Sequence, residues 1–175
     1  MGDELKQVLI TAGQLQARTA ELAAQIDADY AGRDLLLVGV LKGAVMVMAD
    51  LARAMHLPVQ MDWMAISSYG SGTKSSGVVR ILKDLDTDIT GRHVLIVEDI
   101  VDTGHTLTYL KRNLEARRPR SLRACVLLDK IERREIEVDL DYIGFTIPNV
   151  YVVGYGFDHG GLYRNLPYVA ALEDA

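Results

Sequence analysis

Three apolar runs constrain the fold of this chain most strongly: Leu35–Leu41, residues 94–97 and residues 122–128. A strand with one face in water alternates apolar and polar residues, whereas the first two runs contain no polar side chain and the third contains one, Arg123. Such runs are typical of parallel strands that helices cover on both faces. Because segments with helical spacing separate these runs, the sequence predicts an α/β protein with a mainly parallel twisted sheet flanked by helices.

Helical periodicity is clearest in residues 12–30, where apolar side chains recur at spacings of three and four. Thr11 and Gln14 have the form of a capping box, which marks the start of this helix. We expect two further helices over residues 44–55 and 106–117, because a proline follows each segment closely.

The composition narrows the class of protein. A chain of 175 residues, of which 49% are hydrophobic and 25% charged, can bury the core of one globular domain. We find no repeat and no linker-like segment, and we therefore expect residues 1–175 to form a single domain. The net charge of -5 argues against general binding to nucleic acids or acidic membranes, because those partners favour a basic surface.

Three further features favour a cytoplasmic location. The one cysteine, Cys125, lies in an apolar run, where it is expected to pack as a small hydrophobe, and it cannot form an internal disulfide. The N-terminal stretch MGDELKQ is acidic where a signal peptide is basic. Apolar stretches in the sequence are shorter than the roughly 20 residues that a membrane-spanning helix needs. We therefore expect a cytoplasmic protein without a membrane partner.

Residues 67–77, SSYGSGTKSSG, separate two strand-like segments and contain five serines and three glycines. This composition offers little apolar surface to offset the entropy of ordering a loop. Two interpretations are open on composition alone: a flexible hairpin tip and a mobile active-site lid.

The stretch VLIVEDIVDTGHTL carries the chemistry that most narrows the function. Its strand runs directly into Glu98 and Asp99, and ligands bind where parallel strands end. The turn that follows combines Gly104, two threonine hydroxyls and the backbone N–H groups at the start of a helix, which suit a phosphate. Mg²⁺ or a sugar diol explains carboxylates beside a phosphate site, since both interact favourably with carboxylate oxygens. The stretch therefore predicts a ribose phosphate or magnesium phosphate ligand.

Two other interpretations of this stretch are open. Glu98 and Asp99 can be acids at a helix start, favoured by the helix dipole, with Asp102 as a cap. An apolar strand that ends in acids also occurs in nucleoside-triphosphate hydrolases. That class requires a G-x-x-x-x-G-K-[ST] phosphate loop, which the sequence lacks, and it is therefore disfavoured.

Six segments of the chain, taken together, resemble the hypoxanthine-guanine phosphoribosyltransferases, a branch of the type I phosphoribosyltransferase family. The stretch VLIVEDIVDTGHTL is similar to the phosphoribosyl-diphosphate-binding signature of that family. The six segments occur in the family's order over roughly residues 35–169: GVLKGA, SSYGSGTKSSG, VEDIVDTGHT, LLDK, YVVGYGFD and YRNLPYV. The resemblance implies the type I fold with a small hood formed by the chain termini. It also implies that residues 67–77, with Ser68 and Tyr69, form a mobile lid over the active site.

The resemblance implies a purine salvage reaction. Hypoxanthine or guanine displaces diphosphate from C1 of phosphoribosyl diphosphate and gives IMP or GMP. Substitution at this carbon passes through an oxocarbenium-like state, as in glycoside cleavage. The enzyme has to hold diphosphate on Mg²⁺, move the proton of the attacking nitrogen and exclude water. The resemblance also implies a homodimer or a homotetramer.

The same resemblance implies a role for each matching position. The acid or base that acts at the five-membered ring of the purine is Asp102. The ribose and 5'-phosphate are bound by Glu98, Asp99, Asp102, Thr103, Gly104, His105 and Thr106. Diphosphate is bound by Lys42, Gly43 and Arg164, and the purine by Lys130, Tyr151, Val152 and Asp158. The residues at Mg²⁺ are Glu98, Asp99 and Asp158.

The chemistry of the side chains supports several of these roles. The fork of an arginine such as Arg164 suits phosphate oxygens, and a fixed cation at Lys130 favours a 6-oxo group over a 6-amino group. An aromatic ring at Tyr151 can stack on a base. His105 occupies a position that the family varies, so we expect a solvent-facing residue at a helix start and not a catalytic histidine. Without the resemblance, Lys42 and Arg164 would be interpreted as ordinary surface cations.

Two competing functions are considered. A regulator could keep the phosphoribosyl-diphosphate fold and use ligand binding to control attachment to RNA or DNA. Such a protein needs a basic face, whereas this chain is acidic and retains Asp102, Lys130 and Arg164. A relative selective for xanthine or a pyrimidine is the other alternative. Lys130 with Tyr151 favours a 6-oxopurine, and xanthine stays open.

Overall fold

The computed structural model describes residues 5–69 and 78–172 of the chain. Its helices are α1 (Ala12–Asp29), α2 (Val45–Ala54), α3 (His105–Glu115) and a short 3₁₀ helix (Ile131–Arg133). Its strands are β1 (Leu5–Ile10), β2 (Leu35–Leu41), β3 (Gln60–Tyr69), β4 (Val78–Lys83), β5 (His93–Val101), β6 (Ser121–Asp129), β7 (Tyr142–Thr146), β8 (Val152–Val153) and β9 (Val169–Leu172). Residues 70–77 of the predicted lid lie outside the described part.

Six strands form the central sheet in the order β4-β3-β2-β5-β6-β7. Strands β3, β2, β5, β6 and β7 pair in parallel, and β4 pairs antiparallel with β3 at one edge. The predicted α/β fold with a mainly parallel sheet is therefore confirmed. The capping box that the sequence predicts is also present, because Thr11 accepts a hydrogen bond from the Gln14 backbone and donates its own N–H to the Gln14 side chain.

Alternate residues of the strands enter two different cores, which explains why the apolar runs have so few polar positions. In β2, Leu35 and Leu37 pack in the core that α1 and α2 cover, whereas Leu36 and Val38 pack in the core that α3 covers. Cys125 in β6 is buried, and burial raises the pKa of its thiol to about 12. The thiol is therefore a protonated core group near neutral pH, as expected from the apolar run around it.

A second, three-stranded antiparallel sheet joins the two ends of the chain in the order β1-β9-β8. Leu5 pairs with Leu172, and Ile10 pairs with Val169. This sheet, together with the loop of residues 154–168 between β8 and β9, is called the hood below. Its position agrees with the hood predicted from the chain termini, although β1 itself was not predicted.

Strand β5 is longer than predicted. The sequence suggested a strand that ends at residue 97 and a turn that begins at Glu98. The strand instead continues to Val101, because β6 pairs with it along this length and places Glu98 beside Val126. Glu98 and Asp99 are therefore held on the strand itself. In the same way, the first three residues of the predicted lid, 67–69, belong to β3 and pair with β4.

The helices have a further common property. In the described ranges 5–69 and 78–172, no helix is both long enough and apolar enough to cross a lipid bilayer.

Candidate active site

A cleft of about 700 Å³ opens at the carboxyl ends of β2, β5 and β6, with the hood on its other side. This is the edge at which open parallel sheets bind ligands. Most of the predicted site residues line it: Lys42, Gly43, Glu98, Asp99, Asp102, Thr103, Gly104, Thr106, Lys130, Tyr151, Val152, Asp158 and Arg164. His105 does not line it, and the side chains of Ser68 and Tyr69 lie outside what the structure describes.

Glu98, which is buried, and Asp99, which is half-buried, form an acidic pair near the end of β5. The Asp99 N–H donates to Oε1 of Glu98 over 3.0 Å, and the Ile100 N–H donates to Oδ1 of Asp99 over 2.7 Å. Burial, together with the charge of Asp99, raises the pKa of Glu98 well above its usual range. Burial also raises the pKa of Asp99, although the charge of Arg164 opposes this shift. The pair therefore disfavours two negative charges until a cation or hydroxyl donors approach it.

Gly43 follows β2 and lies against both β5 and the hood. The Asp99 carboxylate occupies the space that a Cβ at position 43 would need. The Gly43 carbonyl in turn lies against Gly156 of the hood, which has a φ of +104° and no room for a side chain. The peptide bond between Leu41 and Lys42 is cis. Glycine at position 43 is therefore required by the close approach of both β5 and the hood.

The turn between β5 and α3 has the features of a phosphate cradle. Gly104 caps α3 with a φ of +94°, and a Cβ there would lie 2.6 Å from the carbonyl oxygen of Ile136. Thr103 and Thr106 line the cleft beside this helix start, where backbone N–H groups and the helix dipole favour an anion. Nε2 of His105 lies 2.7 Å from the Glu135 carboxylate. Any contribution of His105 to phosphate binding therefore rests on its backbone N–H.

Asp102 lies at the start of this turn with a carboxylate oxygen available to a ligand. Its Oδ1 atom is buried and accepts no hydrogen bond from the described residues. Nε of Arg133 lies 3.2 Å from this oxygen, which is an ion-pair distance, but without the alignment of a hydrogen bond. The Asp102 side chain is nevertheless 37% exposed, so the carboxylate has a neighbouring positive charge at Oδ1 and an accessible acceptor at Oδ2, which suits a group that takes a proton from a ligand.

Lys130 follows the last residue of β6 and is 7% exposed. Burial lowers the pKa of its ammonium group, and the Asp102 carboxylate opposes this shift. No ion pair joins this ammonium group to a carboxylate within the described ranges. A buried lysine without a partner is uncommon, so the cleft holds a cation that is available to a polar ligand atom.

The hood supplies a second cation, Arg164, which is already paired. Nη2 of Arg164 lies 2.8 Å from Oδ1 of Asp158, and Nη1 donates to the Gly156 carbonyl over 2.5 Å. Oδ2 of Asp158 accepts the Gly161 N–H over 2.8 Å. Both carboxylate oxygens of Asp158 are therefore engaged. Tyr151 is 44% exposed, and its ring makes a perpendicular contact with the ring of His159.

A cation site at Glu98 and Asp99 fits the donors that are present. No cluster of three or more histidine, cysteine, aspartate or glutamate residues suitable for a metal occurs in the described part of the chain. Mg²⁺ does not require such a cluster, because it usually keeps waters and binds one or two carboxylates together with substrate phosphates. The two neighbouring carboxylates with raised pKa values match this mode of binding.

Sequence analysis missed Arg133, Arg134 and Phe157. Arg133 and Phe157 line the cleft, and Arg134 donates to the carbonyl of Asp102 over 3.2 Å. The segment IERR has the alternating charge of a solvated surface, so the pattern gives no sign of these contacts. The contacts of Arg133 and Arg134 become apparent only from the packing of this segment against the turn after β5.

Comparison with known proteins agrees with the fold. The family model described as a phosphoribosyl transferase domain matches residues 10–159. The hypoxanthine-guanine phosphoribosyltransferase of Mycobacterium avium is 58% identical over 176 residues, which cover 97% of this chain and 87% of that protein. Among solved structures, a hypoxanthine phosphoribosyltransferase from Staphylococcus aureus is 44% identical, with a TM-score of 0.94 over 98% of this chain and 93% of that one.

A second solved structure is equally informative. It is a hypoxanthine-guanine phosphoribosyltransferase from Bacillus anthracis with a HEPES molecule in its active site. It is 44% identical, with a TM-score of 0.92 over 97% of this chain and 99% of that one. The family model and these full-length similarities lead to one conclusion: the chain belongs to the phosphoribosyl transferase family, as its motifs predicted.

Proposed function

We propose that this protein is a purine salvage enzyme that transfers the 5-phosphoribosyl group from phosphoribosyl diphosphate to hypoxanthine or guanine. The products are IMP or GMP and diphosphate. One observation carries the proposal: an acidic pair with raised pKa values, a phosphate-type turn and an unpaired buried cation line the same cleft. These groups match the ribose, the 5'-phosphate and the purine of a single reaction, and the similar proteins above are named for it.

The ribose and the leaving group are assigned to β5 and the hood. Glu98 and Asp99 accept hydrogen bonds from the vicinal hydroxyls of the ribose, and their carboxylates would hold Mg²⁺. When bound, Mg²⁺ supplies the positive charge that stabilises the departing diphosphate. Lys42 and Arg164 bind diphosphate oxygens, which requires Arg164 to exchange part of its contact with Asp158. A role for Asp158 at Mg²⁺ likewise requires that exchange, because its oxygens are already engaged.

Asp102 handles the proton in this proposal. As the purine nitrogen forms its bond to C1, the bond from C1 to the diphosphate oxygen breaks, and the proton of the purine's five-membered ring passes to the Asp102 carboxylate. The exposure of the Asp102 side chain at Oδ2 supports this role, because a base needs an accessible acceptor that no protein donor already occupies. The turn from Asp102 to Thr106 binds the 5'-phosphate at the same time, which places the base and the sugar phosphate on one short segment.

The purine is assigned to the end of β6 and to the hood. The Lys130 ammonium group donates to the 6-oxo oxygen, and it would meet an N–H₂ donor in a 6-aminopurine instead. Tyr151 stacks on the ring, and the backbone of Val152 reads its edge. Asp158 lies near the ring from the same loop. The arrangement favours 6-oxopurines and leaves the relative preference among hypoxanthine, guanine and xanthine to be measured.

One assay tests the proposal. Purified protein is incubated with Mg²⁺ and phosphoribosyl diphosphate and, in parallel, with hypoxanthine, guanine, xanthine, adenine or uracil. We expect IMP and GMP from the first two, and no nucleotide from adenine or uracil. Absence of product from every base would contradict the proposal and favour the regulator that uses the same fold for ligand binding alone.

Four further features belong to the proposal. We infer a homodimer or homotetramer, which light scattering on the purified protein tests. We also infer a cytoplasmic enzyme, since its one cysteine is a buried thiol and its substrates are cytosolic metabolites. The single domain and the lid over residues 67–77 stay predictions.

A further inference from the structure

The segment that follows β6 is attached to the turn that follows β5 at two backbone positions. The Lys130 N–H donates to the Val101 carbonyl over 2.9 Å. A few residues later, the N–H groups of Glu135 and Ile136 donate to the Thr103 carbonyl over 3.0 and 3.1 Å. The two segments therefore run beside each other through the residues assigned to the purine and to its proton.

Arg134 lies between these attachments and connects them through its side chain. Its Nη2 atom makes an ion pair with the Asp129 carboxylate at the end of β6. Its Nε atom donates to the backbone carbonyl of Asp102 over 3.2 Å. One guanidinium group thus contacts the residue before Lys130 and also the residue proposed to accept the proton.

The neighbouring arginine makes a different contact. Arg133 approaches the carboxylate of Asp102, which is the reacting group, whereas Arg134 holds only its carbonyl. The side chains of Arg134 and Asp129 are 17% and 5% exposed, so this pair is shielded from solvent and its geometry is fixed. A planar guanidinium fork suits a contact with two acceptors at once, whereas an ammonium group is a point charge.

We propose that Arg134, anchored by Asp129, is a positioning residue that holds the peptide of Asp102 at a fixed separation from Lys130. This one connection then sets the positions of both Asp102, which accepts the proton, and Lys130, which binds the 6-oxo oxygen. Substrate atoms never touch Arg134. The inference rests on the proposed function for its consequence in catalysis, but the connection itself is a property of the folded protein.

The first test is kinetic. We expect Arg134→Gln to lower kcat with hypoxanthine by about 10- to 100-fold, because a small displacement of a reacting group has an effect of this size. The KM for phosphoribosyl diphosphate should change much less than kcat, because the guanidinium group contacts neither Glu98 nor Asp99 and reaches the phosphate turn only at the Asp102 carbonyl, not at its N–H groups. Asp129→Asn should have a similar effect, and the double variant should be no worse than Arg134→Gln alone.

Two further variants separate positioning from a simple ion pair. Arg134→Lys keeps the charge beside Asp129 but loses the fork, so we expect it to fold well and still show the lowered kcat. Full recovery of kcat in Arg134→Lys would overturn the inference. Arg117→Gln is the matched control, because Arg117 makes a comparable ion pair with Asp84 at 2.8 Å far from the cleft. It should leave kcat unchanged.

A measurement without substrate distinguishes failure of this inference from failure of the proposed function. Amide hydrogen exchange at Lys130, Glu135 and Ile136 should accelerate in Arg134→Gln and not in Arg117→Gln. If the wild type forms no nucleotide with any base, the proposed function fails while the exchange result still decides the connection. If the wild type is active and Arg134→Gln keeps both its kcat and its exchange rates, the inference is wrong.

Discussion

Two strands of the same sheet each bury an acidic side chain to about the same extent, but the pKa values of these two side chains are shifted in opposite directions. Asp62 in β3 is 4% exposed and Glu98 in β5 is 6% exposed. Asp62 accepts three backbone hydrogen bonds, from Trp63, Asp86 and Thr87 at 2.7, 3.0 and 2.9 Å. Burial alone would raise the pKa of Asp62, but these donors lower it overall. Burial and the charge of Asp99 raise the pKa of Glu98, and its one backbone donor, the Asp99 N–H, does not offset them.

The lysines of the two regions differ in the same way. Lys83 lies beside Asp62 and donates to the carbonyls of Trp63 and Asp84 over 3.2 and 2.8 Å. Lys130 is buried, and no ion pair or hydrogen bond engages its ammonium group within the described residues. The first region, which consists of Asp62 and Lys83, is called the anchor below. Hydrogen bonds within the protein satisfy both of its charges, and they hold the loop that contains Asp86 and Thr87. The cleft leaves Lys130 without a partner and places the Glu98 and Asp99 carboxylates side by side, which favours a ligand at the expense of stability.

The largest expected effect concerns the cleft. Asp102→Asn should lower kcat by about 10²- to 10⁴-fold, the usual contribution of a positioned acid or base. The KM values should change much less, because the amide keeps the size and polarity of the carboxyl group. Steady-state kinetics with hypoxanthine measures both. An unchanged kcat would remove Asp102 from the proton transfer.

The next effect concerns the two lysines. Lys130→Ala should reduce the preference for hypoxanthine over adenine by roughly 10- to 100-fold in kcat/KM, since a hydrogen bond from a charged donor is lost. Lys83→Ala removes a lysine of the anchor and should leave the base preference as it is. Parallel assays with the two bases compare the variants. A Lys130→Ala enzyme with the wild-type preference would contradict the assignment of the purine site.

A smaller effect is expected at Glu98. Glu98→Gln should lower kcat/KM by about tenfold, because one charge-assisted hydrogen bond to the ribose weakens. Its free energy of unfolding should be unchanged or higher, since a neutral amide no longer places a second negative charge beside Asp99. Urea unfolding and kinetics on the same sample measure the two quantities. A variant that loses stability and keeps activity would contradict the comparison.

The smallest effect on activity is expected at Asp62. Asp62→Asn should lower the free energy of unfolding by about 1–3 kcal/mol at neutral pH, because three buried N–H groups lose a charged acceptor. The pKa of Asp62 is lowered from 3.8 by folding. Its contribution to stability is therefore present above that pH and lost as the pH falls through the folded value. Urea unfolding should show the difference from wild type shrinking in acid, while kcat at neutral pH stays unchanged.

Much of the fold could be predicted from the sequence, because continuous apolar runs and helical spacing report local structure directly. Strand β1 could not, since its six residues depend on pairing between Leu5 and Leu172 at the other end of the chain. The length of β5 was also underestimated. Acids suggest a turn, and only pairing with β6 shows that the strand continues to Val101.

The site residues were predicted from motifs, and the contacts that the motifs missed have a common physical reason. Motifs identified which residue types meet at the sheet edge, because parallel strands end there together. The sequence could not show that Arg164 already engages Asp158, or that the imidazole of His105 turns to Glu135. It also gave no sign of Arg134. Each of these contacts joins residues through tertiary packing, which no local pattern encodes.

The central claim is that unsatisfied buried charge in this sheet marks the ligand site, and one measurement tests it most directly. Thermal unfolding of wild type, Glu98→Gln and Asp62→Asn is followed with and without phosphoribosyl diphosphate and Mg²⁺. A ligand that binds only the folded state raises the midpoint. We predict this rise in wild type and in the less stable Asp62→Asn, and a clearly smaller rise in Glu98→Gln. Equal rises in all three proteins, or no rise in wild type, would contradict the claim.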